Sequence, residues 1–127
     1  MNTPKVRKTI LIVDDEEAIL KLFQKLMSHR FERCLTAKNG EESLQILSTE
    51  PGIDCVITDI SMPVMDGYEL MDRLQTLYPT MPVLAVTGHT DEENMQRLRR
   101  AGFSRILIKP LDRQKLNGIV DFVDSLD

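Results

Sequence analysis

The chain has 127 residues, a formal net charge of −4 at pH 7, and 42% hydrophobic, 28% charged and 5% aromatic residues. This length fits a single domain, which buries roughly two thirds of its unfolded surface. No apolar run approaches the roughly 20 residues of a membrane helix, and the N-terminus lacks the apolar core of a signal peptide, so we expect a cytoplasmic protein. The negative net charge argues against a general nucleic-acid binder.

The N-terminal part of the chain predicts an arm, a strand and a helix. Residues 1–8 are polar, and we expect a flexible arm there. Residues 9–13 form a continuous apolar run, typical of a buried parallel strand, and the acids 14–17 end this strand and open a helix. Apolar residues recur at three-to-four spacing to about residue 28 and mark the apolar face of this helix: Ala18, Ile19, Leu22, Phe23 and Leu26.

The middle of the chain repeats the pattern of strand and helix twice. Residues 34–37 predict a second strand, and residues 41–49 predict a second helix. Residues 55–57 predict a third, fully buried strand, which ends where polarity returns. A loop containing proline spans residues 59–66, and we expect a third helix from Gly67, with Leu70, Met71, Leu74 and Leu77 on its apolar face.

Two further strands and helices complete the chain. Residues 82–86 predict the fourth strand, and residues 91–100 predict a helix with acids first and arginines last, which Gly102 caps. Residues 104–108 predict the fifth strand, and residues 111–123 the last helix. Five such alternations with short connections predict a doubly wound α/β domain, in which helices cover both faces of a five-stranded parallel sheet.

Charged and hydroxyl side chains stand where these strands end. Asp14 and Asp15 follow the first strand, Asp59 the third, Thr87 the fourth and Lys109 the fifth. The carboxyl ends of parallel strands lie at one edge of the sheet, so we expect these side chains to be close together. Three neighbouring carboxylates repel one another unless a cation compensates. A hard divalent cation such as Mg²⁺ does so with oxygen ligands, and it keeps a position open for a phosphate oxygen.

This set of residues favours chemistry on phosphorus. An ionised carboxylate needs no base to act as a nucleophile, so Asp59 is able to attack a phosphoryl group while the cation, Lys109 and Thr87 share its charge. Each residue alone has a more ordinary role in a helix cap, a turn or a loop. Their conjunction at the ends of the right strands favours an aspartate that becomes phosphorylated.

The motifs agree in order and spacing with a known family. Residues 8–123 resemble the receiver domain of response regulators in two-component and phosphorelay signalling, a chemotaxis-regulator-like domain. The resemblance is carried by Ile12–Glu16, Asp59–Gly67, Thr87–Gly88 and Lys109–Pro110. It implies a flavodoxin-like sheet with strand order 2-1-3-4-5, and a single receiver domain over residues 1–127.

The resemblance also implies a reaction and its partners. Asp59 would take a phosphoryl group from a phosphohistidine on a sensor histidine kinase or a histidine phosphotransfer protein. The chain would catalyse only its own phosphorylation and dephosphorylation, so it would not be an enzyme with a separate substrate. A target or effector domain would bind the face of helix four, strand five and helix five. The Lys109–Pro110 bond would be cis, as X-Pro bonds permit.

By the same resemblance, Mg²⁺ or Mn²⁺ would be bound by Asp15, Asp59 and the backbone carbonyl of Ser61. Asp14 would belong to the metal site and act largely through bound water. A second group of residues would hold the phosphoryl oxygens: Thr87 and Lys109.

The sequence departs from the family at Ile106. Members usually carry Tyr or Phe three residues before the lysine, and this ring swings inward when the threonine moves toward the phosphate. An aliphatic side chain offers neither the ring volume nor a hydroxyl. The output of the signal is therefore expected to be weaker, differently routed or absent.

Other protein classes fit less well. A flavin-binding protein needs a phosphate loop after the first strand, where Asp14 and Asp15 would repel the phosphate. Phosphatases with an aspartyl nucleophile typically carry a general acid two residues later, where this chain has Ser61, and nucleotide hydrolases need a GxxxxGK[ST] loop that the chain lacks. The remaining alternative is a receiver-like interaction module that works without phosphorylation.

Overall fold

The computed structural model describes residues 5–127, in which five strands and five helices alternate as the sequence predicts. Their bounds are β1 Val6–Val13, α1 Glu17–Met27, β2 Phe31–Ala37, α2 Gly40–Thr49, β3 Cys55–Asp59, α3 Gly67–Leu77, β4 Val83–Thr87, α4 Glu92–Ala101, β5 Arg105–Ile108 and α5 Arg113–Asp124. No helix in the described range has the length and apolar character needed to cross a membrane.

The strands form one parallel sheet in the order β2-β1-β3-β4-β5, which confirms the predicted architecture and strand order. Val13 pairs with Thr58 across β1 and β3, and Asp59 pairs with Val86 across β3 and β4. The ends of these neighbouring strands are therefore level with one another. The side chains that follow them emerge at the same edge of the sheet.

Side chains from both faces of the sheet are buried. Ile10 and Ile12 face a core layer completed by α1 and α5, whereas Leu11 and Val13 face a layer completed by α2 and α3. Leu98 of α4 packs in a smaller cluster beside the second layer. Every residue of β3 and β4 is buried, which explains why both strands are apolar up to the polar residues at their ends rather than alternating.

Side-chain caps fix where the helices begin. The Asp66 carboxylate accepts a hydrogen bond from the Glu69 N–H at 2.9 Å, and the Asp91 carboxylate accepts one from the Asn94 N–H at 3.1 Å. These caps satisfy backbone donors that have no partner inside the helix. At the end of α4, Gly102 has a φ of 95°, as the predicted glycine cap requires.

The first strand is longer than the sequence predicts. β1 begins at Val6, so the expectation that residues 6–8 belong to a loose arm is wrong, and residues 1–4 of that arm lie outside the described range. The Val6 N–H donates to the Arg30 carbonyl at 2.9 Å, and Val6 pairs with Phe31. β2 likewise begins at Phe31 rather than Cys34. Pairing with a neighbouring strand thus extends a strand into polar residues whose sequence alone does not predict a strand.

The predicted apolar face of α1 is also partly wrong. Ile19, Leu22 and Leu26 are 39%, 55% and 44% exposed, Ala18 is exposed too, and only Phe23 of the predicted residues is buried. The buried stripe is Leu20, Phe23 and Met27. Both stripes have helical spacing and differ by one residue, so periodicity does not distinguish them. Leu77 near the end of α3 is exposed as well, at 57%.

Candidate functional site

Three carboxylates meet at the carboxyl edge of the sheet. One oxygen each of Asp14, Asp15 and Asp59 can be chosen so that all three lie within 4.8 Å of one another. Asp14 and Asp59 are 5% exposed, whereas Asp15 is exposed. The cluster therefore has a buried floor and one side open to solvent.

Asp14 is held by the turn that starts α1. Its Oδ1 accepts a hydrogen bond from the Glu16 N–H at 2.9 Å, and its own N–H donates to the Ala37 carbonyl. Burial raises the pKa of the Asp14 carboxyl above its usual value, while the Glu16 N–H lowers it. The nearby charge of Asp59 raises this pKa further, and Lys109 opposes that effect. The surroundings of Asp14 thus disfavour its negative charge unless a further cation is present.

Asp59 ends β3 with both carboxylate oxygens engaged. Its Oδ1 accepts the N–H of Ile60 at 2.8 Å, and its Oδ2 lies 3.2 Å from Lys109 Nζ. The single ammonium offsets one of the three carboxylate charges, which leaves a net negative cluster of oxygen donors. Mg²⁺ and Mn²⁺ prefer carboxylate, carbonyl and water oxygens, so the residues present fit such a cation.

Thr87 and Lys109 lie on the other side of Asp59. Thr87 is buried and pairs with Ile108 across β4 and β5, and its carbonyl accepts the Lys109 N–H at 2.8 Å. The Thr87 Oγ1 accepts the N–H of His89 at 3.0 Å. A hydroxyl has one proton to donate, and this bond uses only an acceptor site, so that proton is available to another oxygen. The Lys109–Pro110 bond is cis, as predicted.

The site opens into an apolar groove of about 490 Å³. Asp14, Asp59 and Lys109 line one part of it. Exposed or half-buried apolar side chains of α1, of α5 and of the loop before α5 line another part: Ile19, Leu22, Leu26, Leu111 and Leu116. The stripe of α1 that the sequence assigned to the core is therefore a wall of this groove.

The loop after Asp59 depends on a close backbone contact at Gly67. The Gly67 N–H donates to the Ile60 carbonyl at 2.8 Å, and a Cβ on Gly67 would lie 2.8 Å from both the Asp59 carbonyl oxygen and the Ile60 Cα. Ser61 is exposed in this loop, and a role for its carbonyl as a metal ligand stays a prediction. Val64 has a φ of 71°, a strained conformation for a β-branched residue.

Ile106 lies at the point where the family usually has an aromatic ring. It is half-buried and packs in a small cluster with two rings that come from other elements, Tyr68 of α3 and Phe103. No local sequence pattern indicates the contacts of Tyr68, because they depend on how α3 and α4 pack together.

The family model described as "Response regulator receiver domain" matches residues 10–121. The chain belongs to this family. The receiver domain is 33% identical over 118 residues to the transcriptional regulatory protein GlrR of Escherichia coli K12, and 37% identical over 102 residues to the sensor histidine kinase RcsC of Salmonella typhimurium. These matches cover 93% and 80% of this chain but only 26% and 11% of the two relatives.

Solved structures agree with this assignment. A response regulator receiver domain protein from Clostridium thermocellum superposes with a TM-score of 0.82 at 31% identity, over 92% of this chain and 94% of that one. The chemotaxis protein CheY4 of Vibrio cholerae superposes with a TM-score of 0.80 at 29% identity, over 92% and 98% of the two chains. The receiver domain therefore has structural counterparts that match nearly their whole length.

We expect Gly67→Ala to lower the free energy of unfolding by about 1–3 kcal/mol, because the new Cβ must displace the backbone at Asp59 and Ile60. Gly118→Ala is the control, since Gly118 lies inside α5 with open space around it. That change should raise the stability by about 0.5–1 kcal/mol. Urea unfolding followed by circular dichroism measures both. A Gly67→Ala protein as stable as wild type would contradict the close contact.

Proposed function

We propose that this receiver domain accepts a phosphoryl group on Asp59 in a Mg²⁺-dependent reaction, and that the donor is a phosphohistidine. The observation that carries the proposal is the joint placement of Asp59 with two further carboxylates and, 3.2 Å away, the Lys109 ammonium. A buried carboxylate with an adjacent cation and an open groove is poised for nucleophilic attack rather than for structural support.

Three residues would have different roles in the phosphoryl transfer. An Asp59 oxygen forms the new bond to phosphorus as the bond from phosphorus to the donor nitrogen breaks. The Lys109 ammonium stabilises negative charge on the phosphoryl oxygens, and the Thr87 hydroxyl donates its proton in a hydrogen bond to one of them. Thr87 ends β4, which pairs with β3, and Lys109 directly follows β5, which pairs with β4, so the sheet preorganises both groups before the donor arrives.

The cation would be held by Asp14, Asp15, Asp59 and the Ser61 carbonyl. When bound, Mg²⁺ would neutralise part of the charge on the phosphoryl oxygens and on the carboxylates. Asp15 is the exposed member of the set, so its carboxylate lies on the side from which a hydrated cation would enter. The carboxylates of Asp14 and Asp59 stay fixed because backbone N–H groups hold one oxygen of each.

The groove beside the site fits a protein donor. A donor helix that carries a phosphohistidine must bring that residue to Asp59, and the apolar wall of α1 leads there. Three large apolar side chains exposed on one helix are costly in water unless a partner covers them. The relative RcsC is named a sensor histidine kinase, which supports a histidine kinase or a phosphotransfer protein as the donor.

We propose a cytoplasmic signalling component that catalyses only its own phosphorylation and dephosphorylation. An effector surface on α4, β5 and α5 stays a prediction from the family resemblance.

We predict that acetyl phosphate with Mg²⁺ adds one phosphate to the wild-type protein and none to Asp59→Asn, because the amide is not a nucleophile for phosphorus. Intact mass spectrometry measures the adduct, and chelation of the metal should abolish it. An Asp59→Asn protein that gains the same mass would move the acceptor elsewhere. A folded wild type that gains none, while another receiver domain is labelled, would favour an interaction module that works without phosphorylation.

We also predict that Leu22→Gln slows transfer from a histidine kinase domain that labels the wild type, by about tenfold, as expected for the loss of one interface contact. Labelling by acetyl phosphate should not change, because Leu22 is outside the acidic cluster. Leu77→Gln is a matched control, since Leu22 and Leu77 are 55% and 57% exposed on different helices. Equal transfer rates for the two variants would show that the α1 wall does not bind the donor.

A further inference from the structure

A chain of hydrogen bonds leads from the site to the surface between α3 and α4. The His89 N–H donates to Thr87 Oγ1 at 3.0 Å, and the His89 carbonyl accepts a hydrogen bond from Asn94 Nδ2 at 2.7 Å. The Asn94 Oδ1 in turn accepts the hydroxyl of Tyr68 at 2.7 Å. These hydrogen bonds join β4, the loop before α4, the first turn of α4 and the first turn of α3.

The Asn94 amide is the central link and has a defined orientation. A carbonyl only accepts hydrogen bonds, so the amide nitrogen must face His89 and the amide oxygen is left for Tyr68. The planar amide thus couples the backbone of the loop to a hydroxyl on another helix. A displacement of the His89 carbonyl therefore acts on the same amide group that is bonded to the Tyr68 hydroxyl.

The series of hydrogen bonds ends at Tyr68, whose aromatic ring is packed against neighbours and partly exposed. The Tyr68 ring lies edge-on to Phe103 with centroids 6.4 Å apart, and Arg97 Cζ lies 3.7 Å from the Tyr68 centroid. Arg97 is exposed, so this end of the chain is accessible to a partner. Tyr68 also contacts the cluster that contains Ile106, where the family usually has its moving ring.

We infer that Tyr68, through Asn94 and the backbone of His89, reports phosphorylation of Asp59 at the surface between α3 and α4. The inference rests on the proposed function, in which the Thr87 hydroxyl donates to a phosphoryl oxygen. As Thr87 adjusts toward that oxygen, the His89 N–H that is bonded to it moves or releases. Asn94 then carries the change to Tyr68 and to the Arg97 guanidinium over its ring. Ile106 has no group that takes part in these bonds.

The two tyrosines of the chain allow a direct test. The sequence has Tyr68 and Tyr78 and no tryptophan, so Tyr78→Phe leaves Tyr68 as the only strong fluorophore. The measurement is tyrosine fluorescence and intact mass on the same sample of this variant, with Mg²⁺ and acetyl phosphate. We expect the fluorescence to change in proportion to the phosphorylated fraction and to return as the adduct hydrolyses.

The variant Asn94→Asp cuts one link of the chain. A carboxylate still accepts from the Tyr68 hydroxyl but has no hydrogen to donate to the His89 carbonyl, and a negative charge in the first turn of α4 suits the helix dipole. In the Tyr78→Phe background it should still be phosphorylated, with loss of most of the fluorescence change. Asn117→Asp is the matched control, because the Asn117 side chain of α5 accepts a hydrogen bond from Arg30 and donates none to the residues that the structure describes. It should keep the full change.

Three results would overturn the inference. An adduct without a fluorescence change shows that Tyr68 does not sense Asp59, and an equal change in Asn94→Asp and Asn117→Asp shows that Asn94 does not carry the signal. Loss of the adduct in Asn94→Asp alone shows that Asn94 is needed for the phosphorylation of Asp59 itself, rather than for carrying its effect to Tyr68. Absence of an adduct in every sample refutes the proposed function itself, and this inference with it.

Discussion

Mutual repulsion of three carboxylates is the constraint on which this site depends. Asp14, Asp15 and Asp59 lie together because β1 and β3 are neighbours whose carboxyl ends are at the same edge of the sheet. Lys109 compensates only part of their charge. The well-packed core holds the strand ends in place despite this repulsion. The same arrangement that disfavours an empty cluster favours a divalent cation, and a bound cation would in turn attract the charge of a phosphoryl group.

Most of the fold follows from local features of the sequence. Continuously apolar strands predict a sheet covered on both faces, and the caps at Asp66, Asp91 and Gly102 fix helix ends to within a residue. The starts of β1 and β2 and the buried face of α1 did not follow. The start of β1 at Val6 depends on pairing with β2, and the exposed stripe of α1 has the same helical spacing as the buried one. Which stripe packs on the sheet is decided by tertiary contacts rather than by periodicity.

Some residues of the candidate site were likewise identifiable from the sequence, and others were not. Its carboxylates, Thr87 and Lys109 were identifiable because each lies within two residues of the end of a predicted strand, so the topology of the sheet brings them together. The contacts of Tyr68 with Asn94 were not identifiable, because the two residues are distant in sequence and meet only through the packing of α3 on α4. Ile106 marked where the family pattern fails. The route that we infer runs through hydrogen bonds of His89, Asn94 and Tyr68 and does not use the side chain at that position.

The most direct test of this account is the effect of Mg²⁺ on the free energy of unfolding, compared with a potassium salt at equal ionic strength. A cation that binds only the folded cluster stabilises it by mass action. We predict that millimolar Mg²⁺ stabilises the wild type more than potassium does, and that Asp15→Asn, a change at an exposed side chain, reduces this gain. Equal stability of the wild type in the two salts, or an undiminished gain in Asp15→Asn, would contradict the claim that the three carboxylates form a cation site.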